Sequence, residues 1–148
     1  AFIFKELIER LMILGQHLLI ECHGQHASLD SKALAALLCE AAAAGGATVL
    51  FQHFHKFGDQ GGVTGVLILA ESHITVHTWP EYAYAAFDIF MCGEARPRDA
   101  AAVIAARFPA AHVEIKAVNR ASPAHPTKPG LAAHQQDRCG ATTHSSET

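Results

Sequence analysis

Residues Val63-Thr64-Gly65-Val66-Leu67-Ile68-Leu69-Ala70-Glu71-Ser72-His73-Ile74-Thr75-Val76-His77-Thr78-Trp79-Pro80 decide the fold of this chain. Val63 to Ala70 is apolar on both faces, which predicts a central strand covered from two sides. Ser72 to Thr78 continues in β-forming residues until Trp79-Pro80 breaks the run, because proline cannot donate to a sheet ladder. A serine, two histidines and flanking acids are many polar groups for a structural strand. Each must be hydrogen-bonded or wet.

Working outward, Thr48 to Phe57 predicts a preceding strand, joined through Gly58-Asp59-Gln60-Gly61-Gly62. Leu34, Leu37, Leu38 and Ala41 recur at helical spacing and stop at Gly45-Gly46. His17 to His23 reads as a short strand, and Phe4, Leu7, Ile8 and Leu11 give an amphipathic helix over residues 2–14. Downstream, Ala85 to Met91 is a strand. Pro97 opens a helix with Ala101, Ile104, Ala105 and Phe108 on one face. Val113, Ile115 and Ala117 alternate with Glu114 and Lys116, as a half-buried strand does. The order β-α-β-β then β-β-α-β predicts an α+β fold, a two-layer α/β sandwich with a mainly antiparallel sheet and helices on one face. Three segments follow: a helical N-terminal extension over residues 1–14, a domain over 15–118, and a polar, proline-punctuated tail over 119–148. That tail is too poor in large apolar side chains to order itself.

The 148 residues are 50% hydrophobic and 17% charged, with a formal charge of −3, enough apolar content for one core. The absence of a Lys/Arg stripe argues against a nucleic-acid partner. No apolar run reaches the length of a membrane span, and Leu11 to Leu14 lacks the basic flank and cleavage site of a leader. A cytoplasmic protein with neither membrane nor nucleic-acid partner is expected. Cys22, Cys39, Cys92 and Cys139 form no CxxC pair and suggest no disulfide framework.

Three chemistries compete for the polar strand. Ser72 and His77 have the composition of a nucleophile and base, but no Gly-x-Ser-x-Gly elbow surrounds the serine. His53 with His55, and His73 with His77, share strand faces as zinc or copper ligands can, without a supporting cysteine pair or HExxH motif. A ligand-free structural domain is the third reading. Strand alternation puts Ser72 and His77 on opposite faces. They can cooperate only if Ser72 sits in a distorted turn or the groups converge another way, and a strained peptide there would favour an acyl shift.

Glu71-Ser72-His73-Ile74-Thr75-Val76-His77-Thr78-Trp79-Pro80-Glu81-Tyr82, followed by Ala85-Ala86-Phe87-Asp88-Ile89-Phe90-Met91-Cys92-Gly93, resembles the prokaryotic S-adenosylmethionine decarboxylase proenzyme family. Gly15-Gln16-His17-Leu18-Leu19 and Phe54-His55-Lys56-Phe57 extend the resemblance over residues 15–118. It implies self-cleavage before Ser72, leaving Glu71 at the end of the upstream chain and turning Ser72 into a covalent pyruvoyl cofactor. His77 matches the histidine that assists cleavage, Thr64 stands where the family usually has a serine, and Cys92 matches the residue that protonates the product carbon. The implied substrate is S-adenosylmethionine, with Phe57 and Trp79 stacking adenine and Glu81 drawing the sulfonium. The implied assembly is a homodimer of cleaved αβ protomers, and the implied pathway is spermidine and other polyamine synthesis. The glycine loop over 58–62 is one residue longer than usual and Gln16 replaces a common arginine, which leaves substrate specificity open.

The chemistry has its own logic. Loss of CO2 leaves an electron pair on the α-carbon, and no side chain has a carbonyl able to accept it, whereas a rearranged serine supplies one. The same machinery acting on arginine or ornithine, or a non-enzymatic metal-binding domain on this scaffold, are the alternatives.

Overall fold

The computed structural model describes residues 3–5, 7 and 13–121. Among them, six strands form one sheet: β1 Gly15–His23, β2 Val49–Lys56, β3 Val63–Leu69, β4 Ser72–Trp79, β5 Tyr84–Cys92 and β6 His112–Arg120. Their spatial order is β2-β3-β4-β5-β1-β6, and neighbouring strands all run antiparallel. Helices α1, Ser31–Ala44, and α2, Pro97–Ala106, pack on one another and on the same side of the sheet. This is the α+β sandwich that the order of elements predicts.

Local chemistry sets the helix ends. The Asp30 carboxylate accepts from the Ala33 N–H at 2.8 Å and starts α1, and Gly46, at φ +69°, follows its end. Pro97 occupies the first turn of α2, where its missing N–H costs nothing. Leu34, Leu37, Leu38 and Ala41 of α1, with Ala100, Ala101 and Ile104 of α2, meet Leu18, Leu67, Ile74, Val76, Phe87, Ile89 and Met91 of the sheet. Each fully buried Leu, Ile or Phe contributes about 2 kcal/mol, so this single layer of contacts supplies most of the cohesion.

The other sheet face has no helix over it among the described residues, and three expectations change. β3 is covered on one side only, and Ile68 is 44% exposed. β6 is an edge strand, and of the expected buried side Val113, Ile115 and Ala117 only Val113 packs partly buried against the core, while Ile115 and Ala117 are exposed. In α2 the buried set includes Ala100, while Ala105 and Phe108 are only half-buried. β6 also runs two residues past 118, with Arg120 opposite Gly15. The expected N-terminal helix lies largely outside the described residues, and the expected tail beyond 121 lies wholly outside them. No described helix is long and apolar enough to cross a membrane.

One buried polar group stands out. His26 is fully buried, edge-on to Phe87 and Phe108, and its Nε2–H donates to the Ile104 carbonyl at 2.7 Å. Nδ1 has no partner among the described residues. Burial holds the His26 pKa below its ordinary value, outweighing the Ile104 carbonyl, which favours the charged ring. The unfolded chain therefore binds the extra proton first. Stability is complete above about pH 6.5 and falls as pH drops below that value. In a Ser72→Ala background, which is expected to stay uncut, urea unfolding at pH 8 and pH 5.5 should show the His26 protein losing about 1 kcal/mol more than a His26→Gln variant. Equal losses would remove His26 as the cause.

Candidate active site

Only Ala70 and Glu71 separate β3 from β4, and Leu69 faces Ser72 across this turn. The turn is tied down from β2: the Ala70 N–H donates to the Thr48 carbonyl, and the Thr48 N–H donates to the Glu71 carboxylate, both at 2.9 Å. Ser72 leaves the turn at φ +142°. Side-chain-bearing residues enter such backbone regions at a cost of about 1–3 kcal/mol. Ser72 therefore sits at a distorted turn, one of the two geometries that strand alternation leaves open.

The peptide before Ser72 is held from the far side as well. Register pairing of β4 with β5 puts Met91 opposite Ser72, which brings Cys92 alongside the turn. Its backbone N–H and its Sγ–H both donate to the Glu71 carbonyl oxygen, each at 3.1 Å. The Ser72 hydroxyl is hydrogen-bonded to His73 Nδ1 at 3.1 Å. A hydroxyl thus stands next to a peptide carbonyl already polarised by two donors, the arrangement that stabilises a developing oxyanion. Cys92 is exposed, whereas the buried Cys22 thiol is pushed up to about 12, chiefly by burial, and is inert.

Thr64 and His77 lie elsewhere. Five residues at ~3.3 Å each put His77 about 16 Å along β4 from Ser72, opposite Thr64 on β3. The Thr64 hydroxyl donates to the Val76 carbonyl at 3.4 Å. The His77 ring lies between Phe57, 5.7 Å away, and Trp79, 4.2 Å away, and Trp79 stacks on Tyr84 at 5.2 Å. Phe57, His77, Trp79 and Glu81 line an open cavity of about 310 Å³ with Gly61 and Gly62. A β-carbon at Gly61 would overlap the Phe57 carbonyl, and one at Gly62 the Thr78 carbonyl, so the loop closes this tightly only with glycine. Phe57 is 47% exposed and does not serve the core. One chain therefore holds two clusters at opposite ends of β4.

Between them lies a polar patch that the sequence reading missed. Asp88 accepts from the Thr75 hydroxyl at 3.4 Å and pairs with His17 Nε2 at 3.1 Å. Nearby, the Tyr84 hydroxyl donates to the Glu21 carboxylate, and that bond above all pushes Tyr84 up to about 12. Asp88 was visible as the lone acid in an apolar strand. His73 was visible as the residue directly after the serine. Among the described residues, no group of three or more His, Cys, Asp or Glu gathers as a metal site.

The backbone at Ser72 makes a stability test possible. Glycine removes the φ penalty of about 1–3 kcal/mol but adds about 0.5–1 kcal/mol of unfolded-chain entropy. Ser72→Gly should therefore unfold about 1 kcal/mol later in urea than Ser72→Ala. An alanine variant as stable as the glycine variant would show that the backbone there is unstrained.

Residues 16–121 match the family model described as S-adenosylmethionine decarboxylase. The chain is 41% identical over 118 residues to the S-adenosylmethionine decarboxylase proenzyme of Acetivibrio thermocellus, covering 78% of this chain and 94% of that protein. It is also 41% identical over 110 residues to the proenzyme of the same name from Moorella thermoacetica, covering 72% and 87%. The crystal structure of the adenosylmethionine decarboxylase from Aquifex aeolicus superposes with a TM-score of 0.67 at 27% identity, over 78% of this chain and 98% of that one. A match of this extent, over a fold of the same kind, means that the chain belongs to the S-adenosylmethionine decarboxylase family.

Proposed function

We propose that this chain is a proenzyme that cuts itself between Glu71 and Ser72 and then decarboxylates S-adenosylmethionine. The Ser72 oxygen attacks the Glu71 carbonyl carbon, the peptide C–N bond breaks, and the acyl group passes to oxygen. Loss of the Ser72 α-proton expels the Glu71 carboxylate, and hydrolysis of the remainder releases ammonia and leaves a pyruvoyl group at position 72. The observation that carries this function is the Glu71 carbonyl under two donors from Cys92, next to a serine at φ +142°. The donors stabilise the oxyanion, and breaking the peptide releases the strain. Such residues fit a group made in place from the chain.

A pyruvoyl carbonyl supplies the electron sink that decarboxylation needs. Cys92 supplies the proton for the product carbon, its exposed thiol lying one short strand-end away from residue 72. Phe57 and Trp79 offer π faces to adenine, and Glu81 with those faces attracts the sulfonium. That aromatic lining suits a nucleoside better than the side chains of arginine or ornithine. The product would serve as an aminopropyl donor for spermidine and other polyamines in the cytoplasm.

Thr64 and His77 assist cleavage in this account, yet about 16 Å separates them from Ser72 within one chain. A second copy supplies them. The uncovered sheet face carries Thr64 and His77 at one end of β4 and, at the other, His73 and Cys92, which bond to Ser72 and the Glu71 carbonyl, together with exposed Ile68 and Phe51, so pairing of two such faces in a homodimer of cleaved protomers can set one chain's His77 against the other's Ser72.

Release of labelled CO2 should occur with S-adenosylmethionine and not with arginine or ornithine. Turnover of either amino acid with silence toward S-adenosylmethionine would overturn the substrate. Removing a general acid or base costs on the order of 100-fold or more, so a His77→Ala chain alone should stay largely uncut. Co-expressed with a Ser72→Ala chain, it should be cut, because the intact His77 then comes from the partner. A His77→Ala chain that stays uncut in the mixed dimer would contradict a shared site.

A further inference from the structure

We propose that His73 is the base that takes the Ser72 hydroxyl proton during the acyl shift and returns it to the departing Ser72 nitrogen. This rests on the self-cleavage proposed above and adds a residue to it. In the uncut chain the Ser72 hydroxyl is hydrogen-bonded to His73 Nδ1 at 3.1 Å, a contact to the reacting atom itself. His77 makes no such contact, lying at the other end of β4.

The surroundings of His73 keep the ring there. It leans edge-on against Phe90 of β5 at 5.9 Å, directly across in the strand register. Phe90 is in turn braced by His17 of β1 at 5.8 Å and by the Arg120 guanidinium of β6 at 5.3 Å. A ring fixed on one side by an aromatic wall and bonded on the other to the serine oxygen has little freedom to swing away. To take the serine proton Nδ1 must be unprotonated, so the step requires the tautomer with the ring proton on Nε2.

The step balances without any co-reactant. The Oγ–C bond forms as the Glu71–Ser72 C–N bond breaks. The proton travels from Oγ to Nδ1 and on to the nitrogen, which leaves as an amine, and no electrons are gained or lost. The Glu71 oxyanion formed on the way is met by the Cys92 donors on its far side. His77 is left to act later, on the α-proton.

The base must be neutral imidazole, so cleavage should slow in acid. The titratable or charged groups around His73 are Asp88 and Cys92 of β5, His17 of β1, Arg120 of β6, His53 of β2 and Glu71 of the turn. β3 sets Ile68 opposite His73 and Val66 opposite Thr75, neither of them titratable.

The test follows cleavage of newly synthesised full-length chain in cell-free translation, by intact mass over time, for wild type, His73→Gln, His73→Gly and Ser72→Ala. His73→Gln should cleave on the order of 100-fold more slowly and lose the slowing in acid. His73→Gly should be slow and be accelerated by added imidazole. Wild-type rates and pH dependence in His73→Gln would overturn the role of His73. So would slow cleavage that keeps the wild-type pH profile and ignores imidazole. Cleavage of Ser72→Ala would instead overturn the self-cleavage on which the inference rests. His73→Gln keeps a similar volume and a hydrogen-bonding end, so it preserves the test if the glycine variant fails to fold.

Discussion

Two hydrogen bonds from Cys92 to the Glu71 carbonyl oxygen tie the β3–β4 turn to the end of β5, and the rest of the molecule serves to keep them. They exist only because β4 and β5 pair in a register that sets Met91 opposite Ser72. Met91 is buried with Ile89 and Phe87 beneath the helices, and a one-residue slip would turn that whole set out to solvent. The helices therefore fix the register and the register aims the donors. Against this the Ser72 backbone is bent to φ +142°. A strain of about 1–3 kcal/mol is small beside the summed burial of the core, so the fold can hold it in place.

The same sheet is asymmetric in a useful way. Its covered face holds the core, while its open face carries His73 and Cys92, which meet the serine turn, at one end of β4 and the aromatic cavity with His77 at the other. A single chain cannot fold these ends together without breaking the strand. The proposed face-to-face pairing with a second copy would resolve the separation and cover exposed apolar groups such as Ile68 and Phe51.

Much of this was legible in the sequence. The strands and helices follow from periodicity, glycine stops and Pro97, and the order of elements specified an antiparallel α+β sandwich. The long motif around Ser72 pointed to the family before any geometry was known. What periodicity could not convey was which side of the sheet lacks a cover. Val63 to Ala70 is apolar throughout, yet Ile68 is exposed because both helices pack on the opposite face. Val113, Ile115 and Ala117 alternate as a half-buried strand would, yet the strand lies at an edge. The opposed sides of Ser72 and His77 were readable from alternation. The identity of the group touching the Ser72 oxygen was not, because the distorted backbone that brings His73 Nδ1 within 3.1 Å belongs to no regular strand.

The central claim is that position 72 is converted, and mass spectrometry of the purified protein tests it directly. Two fragments divided between Glu71 and Ser72 are expected, the second lacking the serine amine and carrying a ketone that reacts with a hydrazide. An uncut chain, or a second fragment that begins with an intact serine, would contradict it.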